Sequence, residues 1–521
     1  MLGLVDRMRV SFRTLAVRIL PALFIGFTIG SVAATPASNT ASAAELMDVL
    51  FVASEEDVEN APSPSKVASP YAEQAAETAG DEQSGVISTD DPIAENLSAE
   101  ERLDQLQQEI AKMQEQLALK QDKPAPSKKF QSKIGGLLIM DAITVDQSDS
   151  NRSTYGDVPN MFPIREARLG VKGTGYDYIN YEATFAFQTS DSQRSTGSLF
   201  KNILVGVKDV PFFQSVKVGH FKVETCMSER DFLINAPTIS YFSGNTMSFS
   251  PHRRFGVGST RLYADKKLRI YNGIYSGRGF NDGACVLDDA PGYILDARVT
   301  MVPLSCEDAC GNLREILHLG GSAYWYFSGN EKNTLRMRAR PTSWTGGMTY
   351  LLNSAIPLEK GYNVCEGEAA WQRGQFGIIS ETFVANIRNH GTSWGSTLAT
   401  RYFLRPGNYR TYSYDGGGFA APHLVSNLGK SENNTGVLPD TFGELELVGV
   451  YAYTNMDNLK NVSGATFGEL HEAIFGVNWW WSPDLRWSAA YTQAYVNSAK
   501  SGGSKSNSSN NTFNIQMNMQ F

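Results

Sequence analysis

Residues 512–521 read Thr-Phe-Asn-Ile-Gln-Met-Asn-Met-Gln-Phe, an alternation without error. Phe513, Ile515, Met517, Met519 and Phe521 fall on one face of an extended chain, and Asn514, Gln516, Asn518 and Gln520 on the other. A period of two marks a β-strand between two different environments. The apolar row runs to the terminal carboxylate and ends on an aromatic ring. A sandwich strand is usually shorter and seldom ends a chain on Phe, so the stretch favours the last strand of a transmembrane β-barrel.

The composition agrees. The chain has 521 residues, of which only 19% are charged, and carries 47 Gly and 22 Tyr. Past the N-terminal region no run approaches the roughly 18 to 20 apolar residues that a membrane helix needs. Barrels dilute their lipid-facing residues by alternation with polar ones, which gives this profile. The net charge of -8 is unevenly spread. Residues 1–130 hold 11 basic and 20 acidic side chains, leaving 46-11=35 basic and 54-20=34 acidic ones in 131–521. Any anion preference must therefore come from where Arg and Lys sit, since the barrel's net charge does not supply it.

Other strands repeat the pattern. Ile179, Tyr181, Ala183, Phe185 and Phe187 alternate with Asn180, Glu182, Thr184, Ala186 and Gln188, and Leu445 to Tyr453 does the same against Glu444 and Glu446. Full charges such as Glu182 and Glu446 on the polar face suit a wet lumen. Phe475, Val477, Trp479 and Trp481 lead into Ser482-Pro483-Asp484, and Trp487, Ala489 and Tyr491 lead out, a tight hairpin with a Trp cluster suited to a membrane interface. The Gly, Ser and Asn stretches 498–511 and 415–434 read as surface loops on the opposite side. The fold expected is all-β, an antiparallel barrel over residues 130–521 preceded by a short coiled-coil helix.

Upstream, residues 1–44 read as an export signal: Arg7, Arg9, Arg13 and Arg18 precede an apolar segment, and small residues follow. Residues 45–96 form an acidic spacer too poor in large apolar side chains to offset the entropy of ordering. In 97–123, Leu103, Leu106, Ile110, Met113 and Leu117 occupy one helical seam, with Ser98 and Glu101 as a capping box and Pro124 as a stop. This short coiled coil suits a trimer on the periplasmic side or a contact with the cell wall, and a lone helix on the barrel mouth is the plainer alternative. Cys306 and Cys310 could close a local disulfide in an oxidising compartment. Nothing in the sequence calls for a cofactor, a metal or a nucleic-acid partner. With six His and no nucleophile elbow, no catalytic constellation is found either.

An anion path needs fixed cations close enough to pass an ion along. Arg336, Arg338 and Arg340 stand at i, i+2 and i+4, so an extended segment places them on one face about 7 Å apart. Arg168 and Lys172 share a face opposite Leu169 and Val171. Lys217 and Lys222 flank a short run, Arg165 precedes Arg168, and Arg253 with Arg254 precedes a strand.

At these residues the chain resembles the phosphate-selective porin O and P family. The likeness rests on REARLGVKG followed by DYINYEATFAF, on VKVGHFKVET with SERDF after it, on HRRFGVG, LHLGGSAYWYF, LRMRARP and EAAWQRGQFGIISE, in that order over roughly residues 130 to 521. The resemblance implies a trimeric barrel of about 16 strands in the bacterial outer membrane. It would pass phosphate or similar small anions by passive diffusion, through an arginine ladder and a lysine-rich constriction. By that likeness Arg336, Arg338 and Arg340 match the ladder, while Arg165, Arg168, Lys217, Lys222, Arg253 and Arg254 lie near the constriction. A general diffusion pore and an envelope-tethering barrel are the alternatives.

Overall fold

The computed structural model describes residues 130–521 except 190–199, 231–232, 240–242, 278–291, 310, 330–333, 343–349, 359–360, 429, 432–441, 460–465 and 501–504. The expected signal, spacer and coiled coil lie outside the described residues, as does Cys310 of the expected disulfide.

The barrel strands are β1 (Phe130–Gln147), β2 (Ile164–Gly175), β3 (Ile179–Thr189), β4 (Phe200–Lys208), β5 (Ser215–Lys222), β6 (Arg253–Tyr263), β7 (Leu268–Ser276) and β8 (Tyr293–Glu307). They continue with β9 (Leu313–Phe327), β10 (Tyr362–Arg373), β11 (Phe376–Ile387), β12 (Gly391–Phe403), β13 (Glu444–Asn455), β14 (Thr466–Ser482), β15 (Leu485–Lys500) and β16 (Ser506–Gln520). Each pairs antiparallel with the next, and β16 pairs with β1 over Leu137↔Gln520 to Gln147↔Asn510, so sixteen strands close on themselves and leave no edge.

The closing strand behaves as its alternation requires. Phe513 and Ile515 are exposed on the outer wall, while Asn514, Gln516 and Asn518 are fully buried inside. The same division runs around the ring: Leu169, Val171, Phe187, Val257, Ile274, Leu295, Val384, Leu398, Leu447 and Phe475 all point outward and exposed. In water such a continuous apolar band would be a liability, and against lipid it is satisfied. Trp481 packs edge-on against Trp479 and tilted against Trp487, at 5.2 and 6.0 Å between ring centroids, beside the β14–β15 turn.

Connections alternate between two ends. At one end the strands turn tightly, for example through 176–178, 264–267, 374–375 and 483–484. At the other end β5 and β6 are joined by 223–252, and β9 and β10 by 328–361. Both long segments fold into the lumen. Phe249 of the first and Leu335, Met337, Ala339, Leu352 and Ile356 of the second pack with wall residues Tyr324, Tyr326, Phe383 and Leu470 in the largest core cluster.

Two expectations about loops need correction. Residues 498–511 are mostly strand, because β15 runs to Lys500 and β16 begins at Ser506. Residues 415–434 belong to the connection 404–443, which joins β12 to β13 at the tight-turn end, and the described residues 415–423 are no surface loop there. Its hairpin, Tyr409–Ser413 paired with Gly418–His423, enters the lumen instead. Gly and Ser content marked a turn correctly but carried no information on which way it folds.

Candidate functional site

The hairpin is held by charges on the wall. Asp415 accepts at its carbonyl from Arg269 Nε (2.8 Å), Gly417 likewise from Arg298 (2.8 Å), and the Tyr412 hydroxyl meets His318 Nδ1 at 2.7 Å. Arg410 pairs with Glu446 at 2.9 Å and lies 4.5 Å from the Trp480 ring. Glu446 also accepts from Asn478 and Trp480 Nε1, both at 2.9 Å. This polar-face carboxylate is therefore buried under the hairpin, whereas the other one singled out, Glu182, lines open space. Burial raises the Tyr412 hydroxyl pKa well above its ordinary value, so Tyr412 stays a neutral hydrogen-bonding group.

The hairpin thus covers inner-wall residues from β7 to β13. The wall formed by β16 and β1 to β6 keeps a cavity of about 370 Å³. Arg168, Lys172, Lys217, Lys222, Arg230 and Arg253 line it, against two carboxylates, Glu182 and Glu224. β2 supplies Arg168 and Lys172 on the face that sequence alternation assigned them, opposite exposed Leu169 and Val171. β5 supplies Lys217 and Lys222, and the first residue of β6 is Arg253. Arg230 comes from the short helix Met227–Arg230 of the 223–252 segment.

Several of these cations are shared with carboxylates. Arg168 and Lys201 hold Glu166 at 2.7 and 3.0 Å, and Lys217 and Arg269 hold Glu224 at 2.7 and 2.6 Å. Burial pushes the Glu224 carboxyl up, but Arg269, Lys217 and Arg230 outweigh it and keep the group below the usual carboxylate range. Arg253 donates to Asn202 at 2.8 Å, and Lys222 to the Glu229 carbonyl. Lys172 faces the cavity with no ion pair to a described residue.

The remaining candidates lie elsewhere. Arg165 is buried in the wall against Asp141, which Gln516 of the closing strand also holds at 2.8 Å. Arg254 is buried and donates to the Arg253 carbonyl at 3.1 Å. Arg336, Arg338 and Arg340 do share a face, opposite buried Leu335, Met337 and Ala339, but on the inserted 328–361 segment rather than on a barrel strand. Their exposure falls along the row: Arg336 is exposed, Arg338 half-buried, Arg340 buried. Arg338 and Arg340 sit 4.8 and 4.5 Å from the Tyr350 ring.

Sequence reading missed Arg230, although SERDF contains it, and missed Arg269, Arg298, Arg410 and Arg486. Those four stand singly in their own strands or segments, and only the barrel's closure brings them into one interior.

A closed barrel with an apolar outer wall, a charged interior and a residual basic cavity is a transmembrane pore. The family model described as phosphate-selective porin O and P matches residues 142–521, and the chain belongs to that family. It is an outer-membrane porin, a channel. The comparison with curated proteins finds no match. Among solved structures, a loop-deletion mutant of OmpT from Vibrio cholerae is similar at 13% identity, covering 75% of this chain and 100% of its own, with a TM-score of 0.43. The channel DcaP of Acinetobacter baumannii is similar at 11%, covering 75% and 97%, with a TM-score of 0.43. OprB of Pseudomonas putida is similar at 9%, covering 76% and 94%, with a TM-score of 0.37. At such identities and scores the overlaps speak to none of this chain's chemistry.

Proposed function

We propose that this porin passes small anions, phosphate-like oxyanions foremost, along the cavity between β16 and β6. The observation that carries the reading is the lining itself: six basic side chains against two carboxylates in a cavity of about 370 Å³, beside a hairpin that covers the wall from β7 to β13. An oxyanion entering it exchanges part of its hydration for charge-assisted hydrogen bonds from Arg168, Lys172, Lys217, Arg230 and Arg253. Binding stays weak enough for release because Glu166 and Glu224 already share Arg168 and Lys217. Exposed Arg336, with Arg338 behind it, serves as the outer collecting step of the path. The family's description adds phosphate as the leading solute.

In this reading the tight-turn end faces the periplasm, as barrel turns ordinarily do, and the N-terminal region lies there with its coiled coil beneath a homotrimer or against the cell wall. Reversal potentials of the purified protein in planar bilayers under a salt gradient test the anion reading, with phosphate competing against chloride current. A cation preference would sink it, and anion preference without phosphate block would favour a general diffusion pore.

A further inference from the structure

Across the lumen from the basic cavity, three carboxylates converge. Glu366 and Glu368 stand two residues apart on β10 and so share its inner face, and Glu381 of β11 is the direct cross-strand partner of Glu368. One oxygen from each lies within 4.8 Å of the others, and all three residues are buried, Glu366 at 4% exposure.

Two of the three have protein partners. Glu368 takes Arg298 at 2.6 Å and His318 at 3.1 Å on Oε1, and the Met227 amide at 2.8 Å on Oε2. Glu381 takes the Ser228 amide at 2.8 Å and the Ser228 hydroxyl. Glu366 differs: both of its oxygens are buried without a hydrogen-bond partner of ordinary geometry, the Ser322 hydroxyl being a nearby donor. Ser322, its neighbour in the β9–β10 ladder, donates instead to the Thr225 carbonyl. A carboxylate buried beside two others and left without a well-formed hydrogen bond is costly, because like charges and lost hydration act together.

We propose that Glu366, Glu368 and Glu381 form a calcium site. The donors are all oxygens, which suits a hard cation. Magnesium dehydrates reluctantly and ordinarily keeps several waters around one or two carboxylates, whereas calcium takes more carboxylate oxygens in a flexible shell, so three buried carboxylates converging within 4.8 Å favour calcium. Glu366 offers both of its oxygens, Glu368 and Glu381 each bring an oxygen that already accepts a protein hydrogen bond and keeps a second lone pair for the ion, and lumen water completes the shell. Because Glu368 and Glu381 also hold the Met227 and Ser228 amides, the ion fastens the 223–252 segment to the wall and with it the position of Arg230.

The test uses full-length protein purified in detergent and stripped with EDTA, titrated by calorimetry at pH 8 with calcium chloride and, separately, magnesium chloride. One saturable calcium per chain is expected, with magnesium at least tenfold weaker. Glu366→Gln keeps the shape and removes no hydrogen bond, so it is expected to fold and to weaken calcium at least tenfold. Glu381→Gln serves as a second variant with the same expected loss. Absence of saturable calcium binding in the wild type would overturn the proposal. So would unchanged binding in a folded variant, which would put the calcium elsewhere, for instance on residual lipopolysaccharide.

Discussion

Arg298 and Glu368 form an ion pair of 2.6 Å with both side chains fully buried, and the same guanidinium donates to the Gly417 carbonyl at 2.8 Å. One wall arginine therefore neutralises a carboxylate and seats the tip of the lumen hairpin. Arg298→Met leaves Glu368 with His318 and a backbone amide only, a loss of about 3–5 kcal/mol for one partner of a buried pair. We expect a lower unfolding temperature by heat-modified gel mobility and, as the hairpin tip loosens, larger and noisier single-channel current. A stable variant with unchanged current would show that the hairpin does not obstruct the pore.

Excision of the hairpin separates obstruction from selection. Replacing 409–423 by a short Gly-Ser link uncovers the wall from β7 to β13, yet leaves the basic residues of β2, β5 and β6 in place. Conductance in planar bilayers is expected to rise severalfold while the sign of ion preference holds. If the preference collapses toward neutrality, the cavity is not the filter.

The fold was far more legible than the site, for a physical reason. Strand identity needs only the alternation of one segment, so β3, β13, the Trp hairpin and the closing strand could be read directly, with their apolar rows outside. Loop direction depends on what waits inside the barrel. The 404–443 segment enters because Arg269, Arg298 and Glu446 stand ready on three different strands, and no linear pattern records their convergence. The same holds for the candidate cations. Arg168, Lys172, Lys217, Lys222 and Arg253 meet in one cavity, while Arg165, equally basic in the sequence, is consumed by Asp141.

The cations should differ in consequence. Lys172 faces the cavity without an ion pair to a described residue, so Lys172→Glu removes one charge and adds the opposite one with little structural cost. The anion-to-cation permeability ratio is expected to fall several-fold at low salt and less at high salt, where screening takes over. Along the inserted segment the effect of alanine on phosphate block is expected to be greatest at exposed Arg336. At buried Arg340 the loss falls mainly on stability, since its guanidinium packs over Tyr350. Equal effects at Arg336 and Arg340 would contradict a path along the exposed end.

Glu224 gives the chamber a pH dependence. Its folded-state pKa lies below the unfolded value of about 4.3, so its ion pairs contribute stability above that pH, lost as pH falls through the folded value. Thermal stability should be flat from about pH 8 to 5 on this account and decline below about pH 4. Glu224→Gln should lose about 3–5 kcal/mol at neutral pH and the acid-sensitive part of the curve, and it frees Lys217 and Arg269 to raise anion preference. An unchanged acid limb in Glu224→Gln would assign that limb to other carboxylates.

The terminal residue completes the barrel through a glycine. Phe521 extends the β1–β16 ladder by one step, its carbonyl accepting from the Gly136 amide at 2.9 Å and its amide donating to Gly136 at 3.2 Å. A Cβ at Gly136 would fall on the Phe521 ring and lie 2.7 Å from the Arg168 carbonyl, so only glycine lets the ring settle across the seam. Gly136→Val is then expected to displace Phe521, and deletion of Phe521 removes the ring itself. If the ring is the recognition element for outer-membrane assembly, both variants lower the folded barrel recovered from outer-membrane fractions several-fold, with the unfolded chain accumulating before insertion. If it serves only to close the seam, both variants refold less readily into detergent, where no assembly machinery takes part, and to the same extent as they fail in the outer membrane.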